Sequence, residues 1–151
     1  VSQAFPPSTQ EITPITGGTQ FSTSVSLADV TGSDMAMDTG WYDFSYSVIF
    51  SSAATSTGHL FSVNGNSGLV CNPLNVIIHG LPLAGDTSVQ QIFAFNNGFA
   101  FLSTRVTTGA RAIINGNMKV TTAGVLVLRF ATEVAGSAIT ITALNGWWRK
   151  R

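Results

Sequence analysis

Two histidines and one cysteine, His59, His79 and Cys71, are the side chains in this sequence best suited to nucleophilic or acid–base chemistry. A nucleophile needs an activating base or a lowered pKa. No basic residue stands beside Cys71 to lower its thiol pKa, and no Gly-x-Ser-x-Gly motif is present. We therefore expect Cys71 to be a small buried apolar residue. We also expect His79, which alternates with Ile77, to be a core histidine, and the chain to have no catalytic residue and no cofactor.

Three carboxylates lie within ten residues of one another: Asp29, Asp34 and Asp38. Calcium prefers oxygen ligands, so these three aspartates are the best metal candidates in the chain. The spacing lacks the order of an EF-hand loop and its closing glutamate. A solvated polar loop between strands is the alternative interpretation, and we favour it.

The last five residues interleave aromatic and cationic side chains: Trp147, Trp148, Arg149, Lys150 and Arg151. Such interleaving is typical of nucleic-acid contacts. Three cations are a small electrostatic footprint, however, and the pI is near 6.9, so nucleic-acid binding is not expected. We predict instead an assembly interface made by Trp147, Trp148, Arg149 and Arg151. Alternation along a strand would bury one indole, and the cations would meet acidic groups of a neighbouring subunit. Sugar binding by exposed tryptophans is the alternative.

The composition is typical of a protein that functions as one subunit of an assembly. Charged residues make up 9% of the 151 residues and hydrophobic ones 44%, against roughly 25% charged in ordinary soluble domains. A surface so poor in charge is weakly protected against association. Membrane insertion is not expected, because the longest apolar runs, such as 124–128, are far below the roughly 18 residues of a spanning helix.

The net charge of zero hides an asymmetry along the chain. Up to Thr104 there are six acidic residues and no Lys or Arg, whereas from Arg105 onward there are seven basic residues and only Glu133. First and last strands of an antiparallel sandwich often lie side by side. We therefore predict that Arg129 or the 149–151 tail faces Asp29, Asp34, Asp38 or Asp43, within a subunit or between subunits.

Hydrophobic alternation predicts strands almost throughout. The clearest strand is 41–50, in which Tyr42, Phe44, Tyr46, Val48 and Phe50 share one face. No stretch shows the apolar spacing of a helix. Further strands are predicted at 20–30, 59–64, 75–79, 89–95, 99–104, 110–120, 125–132 and 137–144.

Turn residues separate these strands at Asn64-Gly65, Asn97-Gly98, Asn115-Gly116 and Ala135-Gly136. Asn97-Gly98 is the strongest hairpin signal, and Asn115-Gly116 could instead be a bulge within a long strand. Short, evenly spaced strands indicate an all-β antiparallel β-sandwich or jelly roll. Three prolines and Gly17-Gly18 make residues 1–18 an extended N-terminal arm, and residues 19–151 the jelly-roll domain.

The stretch 110–151 resembles the closing strands of the trimeric, TNF/C1q-like jelly-roll domains of bacteriophage virion proteins. The resemblance rests on a strand ending near Gly116, the sequence from Val120 to Gly124, a strand ending in Phe130-Ala131, a threonine-rich strand after Ala138 and the aromatic-basic terminus. Segment 58–65 resembles an early strand of the same family. The resemblance implies a homotrimer built around a three-fold axis.

Two functions follow. The first is a non-enzymatic virion structural protein, a trimeric capsid decoration or head-fibre subunit on the surface of a phage head or tail, with the N-terminal arm contacting other virion proteins. The alternative is a lectin-like tail-fibre tip that binds a receptor or cell-surface glycan. The absence of a long fibre-forming segment favours the first.

Overall fold

The protein is built from β-strands. The computed structural model describes residues 10–11, 19–54, 58–81, 88–97, 99–101 and 109–151, and these contain no helix. The strands are β1 (Gln10–Glu11), β2 (Gln20–Ser22), β3 (Ala28–Asp29), β4 (Met35–Met37), β5 (Gly40–Ser52), β6 (His59–Asn66), β7 (Val70–Leu81), β8 (Ser88–Ile92), β9 (Phe99–Phe101), β10 (Ala110–Thr122), β11 (Gly124–Thr132) and β12 (Ile139–Lys150).

The strands form two antiparallel sheets. The larger sheet runs β1-β12-β5-β10-β7-β8, with β2 also pairing with β12. The smaller sheet runs β3-β11-β6-β9, with β4 also pairing with β11. The predicted all-β antiparallel sandwich is therefore confirmed.

The connectivity is that of a jelly roll. The principal strands of the larger sheet stand in the order β2-β12-β5-β10, and those of the smaller sheet in the order β3/β4-β11-β6-β9. Taken in chain order, these strands alternate between the two sheets, except that β6 and β9 are neighbours in the smaller sheet. This alternation is the jelly-roll arrangement. The β7–β8 pair is an addition that widens the larger sheet beyond β10. Apart from β1, which pairs with the end of β12, the predicted arm 1–18 lies outside the described residues.

Strand β5 shows why the chain folds this way. Tyr42, Phe44, Tyr46, Val48 and Phe50 are all at most 4% exposed, as their alternation predicts. Fully buried side chains from four other strands pack in the same core, among them Met35, Phe61, Ile114, Met118, Leu126 and Leu128. Burying each such side chain stabilises the fold by about 1.5–3 kcal/mol.

Three of the four predicted turn positions were wrong. Asn64-Gly65 lies inside β6, and the chain turns three residues later, where Ser67 and Gly68 have positive φ. Gly98 lies outside the described residues, but the strands on either side of the predicted Asn97-Gly98 hairpin do not pair with each other: β8 pairs with β7 in the larger sheet, and β9 pairs with β6 in the smaller one.

The Asn115-Gly116 pair lies within β10, and its pairing with β5 and β7 is regular across both residues, so it is neither a turn nor a bulge. A Cβ at Gly116 would lie 2.3 Å from Cζ of Phe44. Glycine is therefore required here by the ring that occupies the space. The predicted turn at Ala135-Gly136 is present, with Gly136 at φ 82°.

The predicted strand 20–30 is divided, and the predicted polar loop 29–38 contains a strand. Met35 and Met37 of β4 are buried against the core. The interruption between β3 and β4 is bridged by Ser33, whose hydroxyl donates to the carbonyl of Val30 at 2.7 Å and accepts from the amide of Leu128 at 3.0 Å. This side chain satisfies backbone groups that a continuous strand would have paired.

Candidate functional site

The three side chains whose types are best suited to catalysis, His59, Cys71 and His79, do not form one cluster. His59 belongs to the smaller sheet, whereas Cys71 and His79 belong to β7 of the larger one. Eight residues of extended strand separate Cys71 from His79, which is about 26 Å. Cys71 is half-buried beside the core, and burial raises the pKa of its thiol to about 11. A thiol held protonated in this way is a poor nucleophile at neutral pH.

His59 is the most buried titratable side chain among these three. It is 3% exposed and packs against Phe50 and Phe61, with ring centroids 4.4 Å and 5.5 Å away. Burial lowers its pKa to about 3. His59, rather than the predicted His79, is thus the core histidine; His79 is only partly buried, on the outer side of β7.

The three candidate metal ligands are not gathered into one site. Asp29 accepts one hydrogen bond from Asn66 and is paired with Arg129, while Asp34 and Asp38 lie before and after β4. In the part of the chain that the structure describes, no group of three or more His, Cys, Asp or Glu residues could hold a metal ion.

The basic terminus is held by the chain's own Asp43. Arg149 Nη2 lies 3.1 Å from Asp43 Oδ2, Arg151 Nε donates to the same oxygen at 2.9 Å, and Arg151 Nη2 contacts Oδ1. The guanidinium groups of Arg151 and Arg149 hold the pKa of Asp43 below its ordinary value of 3.8. The two arginines predicted to reach a neighbouring subunit therefore already have an acidic partner within the same chain.

Alternation along β12 sends the two tryptophans to opposite sides of the larger sheet. Trp147 pairs with Ser45 on the outer side, and Trp148 pairs with Phe44 on the inner side, where it packs against the core. Both indoles are half-buried.

The outer side of the larger sheet is uncharged at its centre. Strand register places two complete rows of side chains across five strands there: Val89, His79, Ile113, Ser47 and Asn145 in one, and Gln91, Ile77, Asn115, Ser45 and Trp147 in the other. Neither row contains Asp, Glu, Lys or Arg. We call these two rows the neutral face.

Among the residues that the structure describes, the charged groups on this side of the sheet lie toward its ends. Arg111 is at one end, and Lys119 and the Asp43 cluster are at the other. At that second end Lys119 Nζ is 6.0 Å from the ring centroid of Trp41, which is 42% exposed. Within the neutral face, the hydroxyl of Ser45 donates to Asn115 at 2.7 Å, so both groups have a partner without solvent.

A cleft of about 610 Å³ opens on the inner side of the sheet at the same end of the sandwich. Its walls include Asp38, Tyr42, Ala123, Gly124, Trp148 and Lys150, and we call it the end cleft. It forms because β5, β10 and β12 have 12 or 13 residues, whereas β4 and β11, which face them, have 3 and 9. The inner face of the larger sheet therefore extends past its cover. The charge asymmetry predicted that the 149–151 tail could face Asp38, but no sequence pattern marked Tyr42 as a neighbour of either residue.

Comparisons with known proteins identify no family. No family model matches the chain, and no curated protein matches it. A chain in the structure of infectious bursal disease virus Gx strain aligns with 99% of this chain at 9% identity, with a TM-score of 0.25. The aligned part spans 45% of that viral chain. Similarity at this level carries no argument about function. No helix in the described ranges is long and apolar enough to cross a membrane.

Proposed function

We propose that this chain is a non-enzymatic structural subunit of a virus particle, and that it associates with copies of itself through the neutral face. In its finer form the proposal is a TNF/C1q-like homotrimer that decorates or stabilises the head of a phage, or forms a head fibre. The observation that carries the proposal is the pair of uncharged rows across the larger sheet.

The neutral face has the chemistry of an interface core. Ile77 and Val89 are 36% and 58% exposed, and Ile113 and Trp147 lie beside them in the same two rows. Charged residues are depleted at the centres of protein interfaces, because a buried charge must lose its water. The charged groups stand at the rim of this face, where they keep contact with solvent and influence partner choice.

The jelly-roll connectivity and the low charge content support the same proposal. A chain with 9% charged residues has little protection against association. The proposed stoichiometry of three and the proposed location on the particle surface rest on the resemblance of strands 110–151 to trimeric virion domains. The N-terminal arm would contact other virion proteins.

A second candidate, a glycan-binding tip domain, is favoured by one observation. The end cleft brings Trp148 together with polar side chains, and an aromatic wall beside hydrogen-bonding groups is a common setting for sugars.

Light scattering coupled to size-exclusion chromatography tests the main proposal. Three times the chain mass of 15.9 kDa is the expected result at micromolar concentration. Ile77→Arg places a cation at the centre of the neutral face and should shift the protein to a monomer, because the guanidinium would have to be desolvated. Val134→Arg is the matched control, since Val134 is 47% exposed in the turn before β12, away from that face.

Circular dichroism spectra of both variants serve to check that they fold. A monomeric wild-type protein would contradict self-association, and a trimer that persists in Ile77→Arg would place the interface elsewhere.

A further inference from the structure

We propose that the end cleft binds a sugar unit that carries a carboxylate, such as a uronic or sialic acid residue of a glycan. The inference rests on the second candidate function, glycan binding at this cleft, and names its ligand class. It does not depend on self-association, because the cleft lies on the inner side of the larger sheet and the neutral face on the outer side.

Lys150 provides the anion-binding group. Its side-chain stem crosses Gly40, where a Cβ would lie 2.7 Å from Lys150 Cε, so a residue without a side chain leaves its path open. The ammonium group is 5.9 Å from the ring centroid of Tyr42. Glycine and tyrosine thus hold a cation at the wall of the cleft.

The ammonium of Lys150 is not neutralised by the described part of the chain. The ion pairs found there join Arg129 to Asp29, and Arg149 and Arg151 to Asp43. Lys150 and Asp38 both line the cleft but are not paired with each other. One cation and one anion therefore face the same space with room between them.

The remaining walls fit a sugar ring. The indole of Trp148 offers an apolar surface of the kind on which the C–H groups of a pyranose pack. Asp38 can accept hydrogen bonds from ring hydroxyls, and its backbone amide donates to the hydroxyl of Tyr42 at 3.2 Å, which ties these two wall residues together.

This combination selects for a carboxylated sugar over simpler ligands. A neutral sugar can pack on the indole of Trp148 and donate hydrogen bonds to Asp38, but it has no negative charge to pair with Lys150. A small anion can pair with Lys150, but it has neither hydroxyls for Asp38 nor a ring for Trp148. A carboxylated pyranose supplies all three.

Ligand-observed saturation-transfer NMR titrations on the full chain test the proposal. The probes are methyl β-D-glucuronide, the methyl glycoside of N-acetylneuraminic acid, methyl β-D-glucoside as the ring without a carboxylate, and acetate as the carboxylate without a ring. We expect one of the carboxylated sugars to bind with a Kd of about 1 mM. The glucoside should bind about tenfold more weakly, as expected for the loss of one hydrogen bond to a charged group, and acetate should not bind measurably.

Lys150→Met keeps the stem and removes the charge, so it should abolish the preference for the carboxylated sugar. Asp38→Asn should weaken the carboxylated and neutral sugars together. Lys119→Met is the matched control, since Lys119 lies over Trp41 on the outer side, and it should leave binding unchanged. Melting curves of the three variants show whether the fold is kept.

Three results would each overturn the proposal: no binding of either carboxylated sugar, equal binding of glucuronide and glucoside by the wild-type protein, or a preference that survives Lys150→Met. None of these results bears on the mass measured by light scattering, so the two proposals fail separately.

Discussion

Asp29 and Arg129 stand directly opposite each other across the β3–β11 ladder, with Arg129 Nε 2.8 Å from Asp29 Oδ1. The acidic early strands thus face the basic late strands, and Asp43 with Arg149 on the neighbouring β5 and β12 repeats the arrangement. The predicted use of the charge asymmetry is confirmed, and in the described residues the contacts are made within one chain.

The Asp29–Arg129 pair should couple weakly. Arg129 also donates to Asn96 at 2.6 Å, but both partners of the ion pair are partly exposed, at 24% and 44%. A double-mutant cycle with Asp29→Ala and Arg129→Ala, followed by urea denaturation, should give a coupling energy of about 0.5–1 kcal/mol. The coupling should shrink in 1 M salt, where screening is strong. A coupling that does not change with salt would argue against an ionic origin.

Asp43 should make the fold sensitive to acid. Its pKa is lowered in the folded state by Arg151 and Arg149, so its contribution to stability is present above the unfolded pKa of 3.8 and is lost as the pH falls through the folded value. Asp43→Asn should lower the Tm at pH 7, and the difference from wild type should narrow below about pH 4. Asp38→Asn, which removes no ion pair in the described residues, is the control. Equal Tm losses in the two variants would contradict the assignment.

Burial of His59 should make the stability of the fold depend on pH in a higher range than Asp43 does. The pKa of His59 falls from 6.5 to about 3 on folding. Between these two pH values the imidazole is protonated in the unfolded chain and neutral in the folded chain. Stability should therefore decline as the pH falls below 6.5, by roughly 1 kcal/mol per pH unit. His59→Phe keeps the packing against Phe50 and Phe61 and should flatten this part of the pH profile. An unchanged slope in the variant would assign the acid sensitivity to other groups.

Gly116 should tolerate no side chain while Phe44 is present. The added Cβ of Gly116→Ala would overlap the ring of Phe44, and overpacking of this kind typically lowers the free energy of unfolding by about 1–3 kcal/mol. Phe44→Leu removes the ring atoms concerned, so Gly116→Ala should cost less in that background than in wild type. Strict additivity of the two substitutions in urea denaturation would rule out the proposed contact.

The class of fold and the buried face of strand β5 were predictable from the amino-acid sequence alone. Alternation of apolar and polar residues is a local property that follows from the two-residue repeat of a strand, so β5, β10 and β11 were predicted almost to their ends. The last strand, β12, runs six residues past its predicted end at Leu144, and the prediction that one indole is buried was wrong, because Trp147 and Trp148 are both half-buried. The charge asymmetry, also visible in the sequence, predicted that Arg129 or the 149–151 tail would face one of four aspartates, and the structure pairs Arg129 with Asp29 and the tail with Asp43.

Strand pairing and the positions of the turns depend on long-range contacts that the sequence pattern does not contain. Asn64-Gly65 and Asn97-Gly98 have the composition of turns, but turn propensity amounts to about 1 kcal/mol or less and yields to the burial of whole strands. Whether a glycine marks a turn or a close approach depends on a neighbour distant in sequence, as Phe44 shows for Gly116.

Only the folded chain could reveal the neutral face and the end cleft. Each row of the neutral face draws one side chain from each of five strands, so its lack of charge depends on their register and is invisible along any single strand. The end cleft depends on a mismatch in length between strands of opposing sheets. Lys150 and Asp38, 112 positions apart in the chain, line the same space because long-range packing, rather than local sequence, sets the distance between sheets.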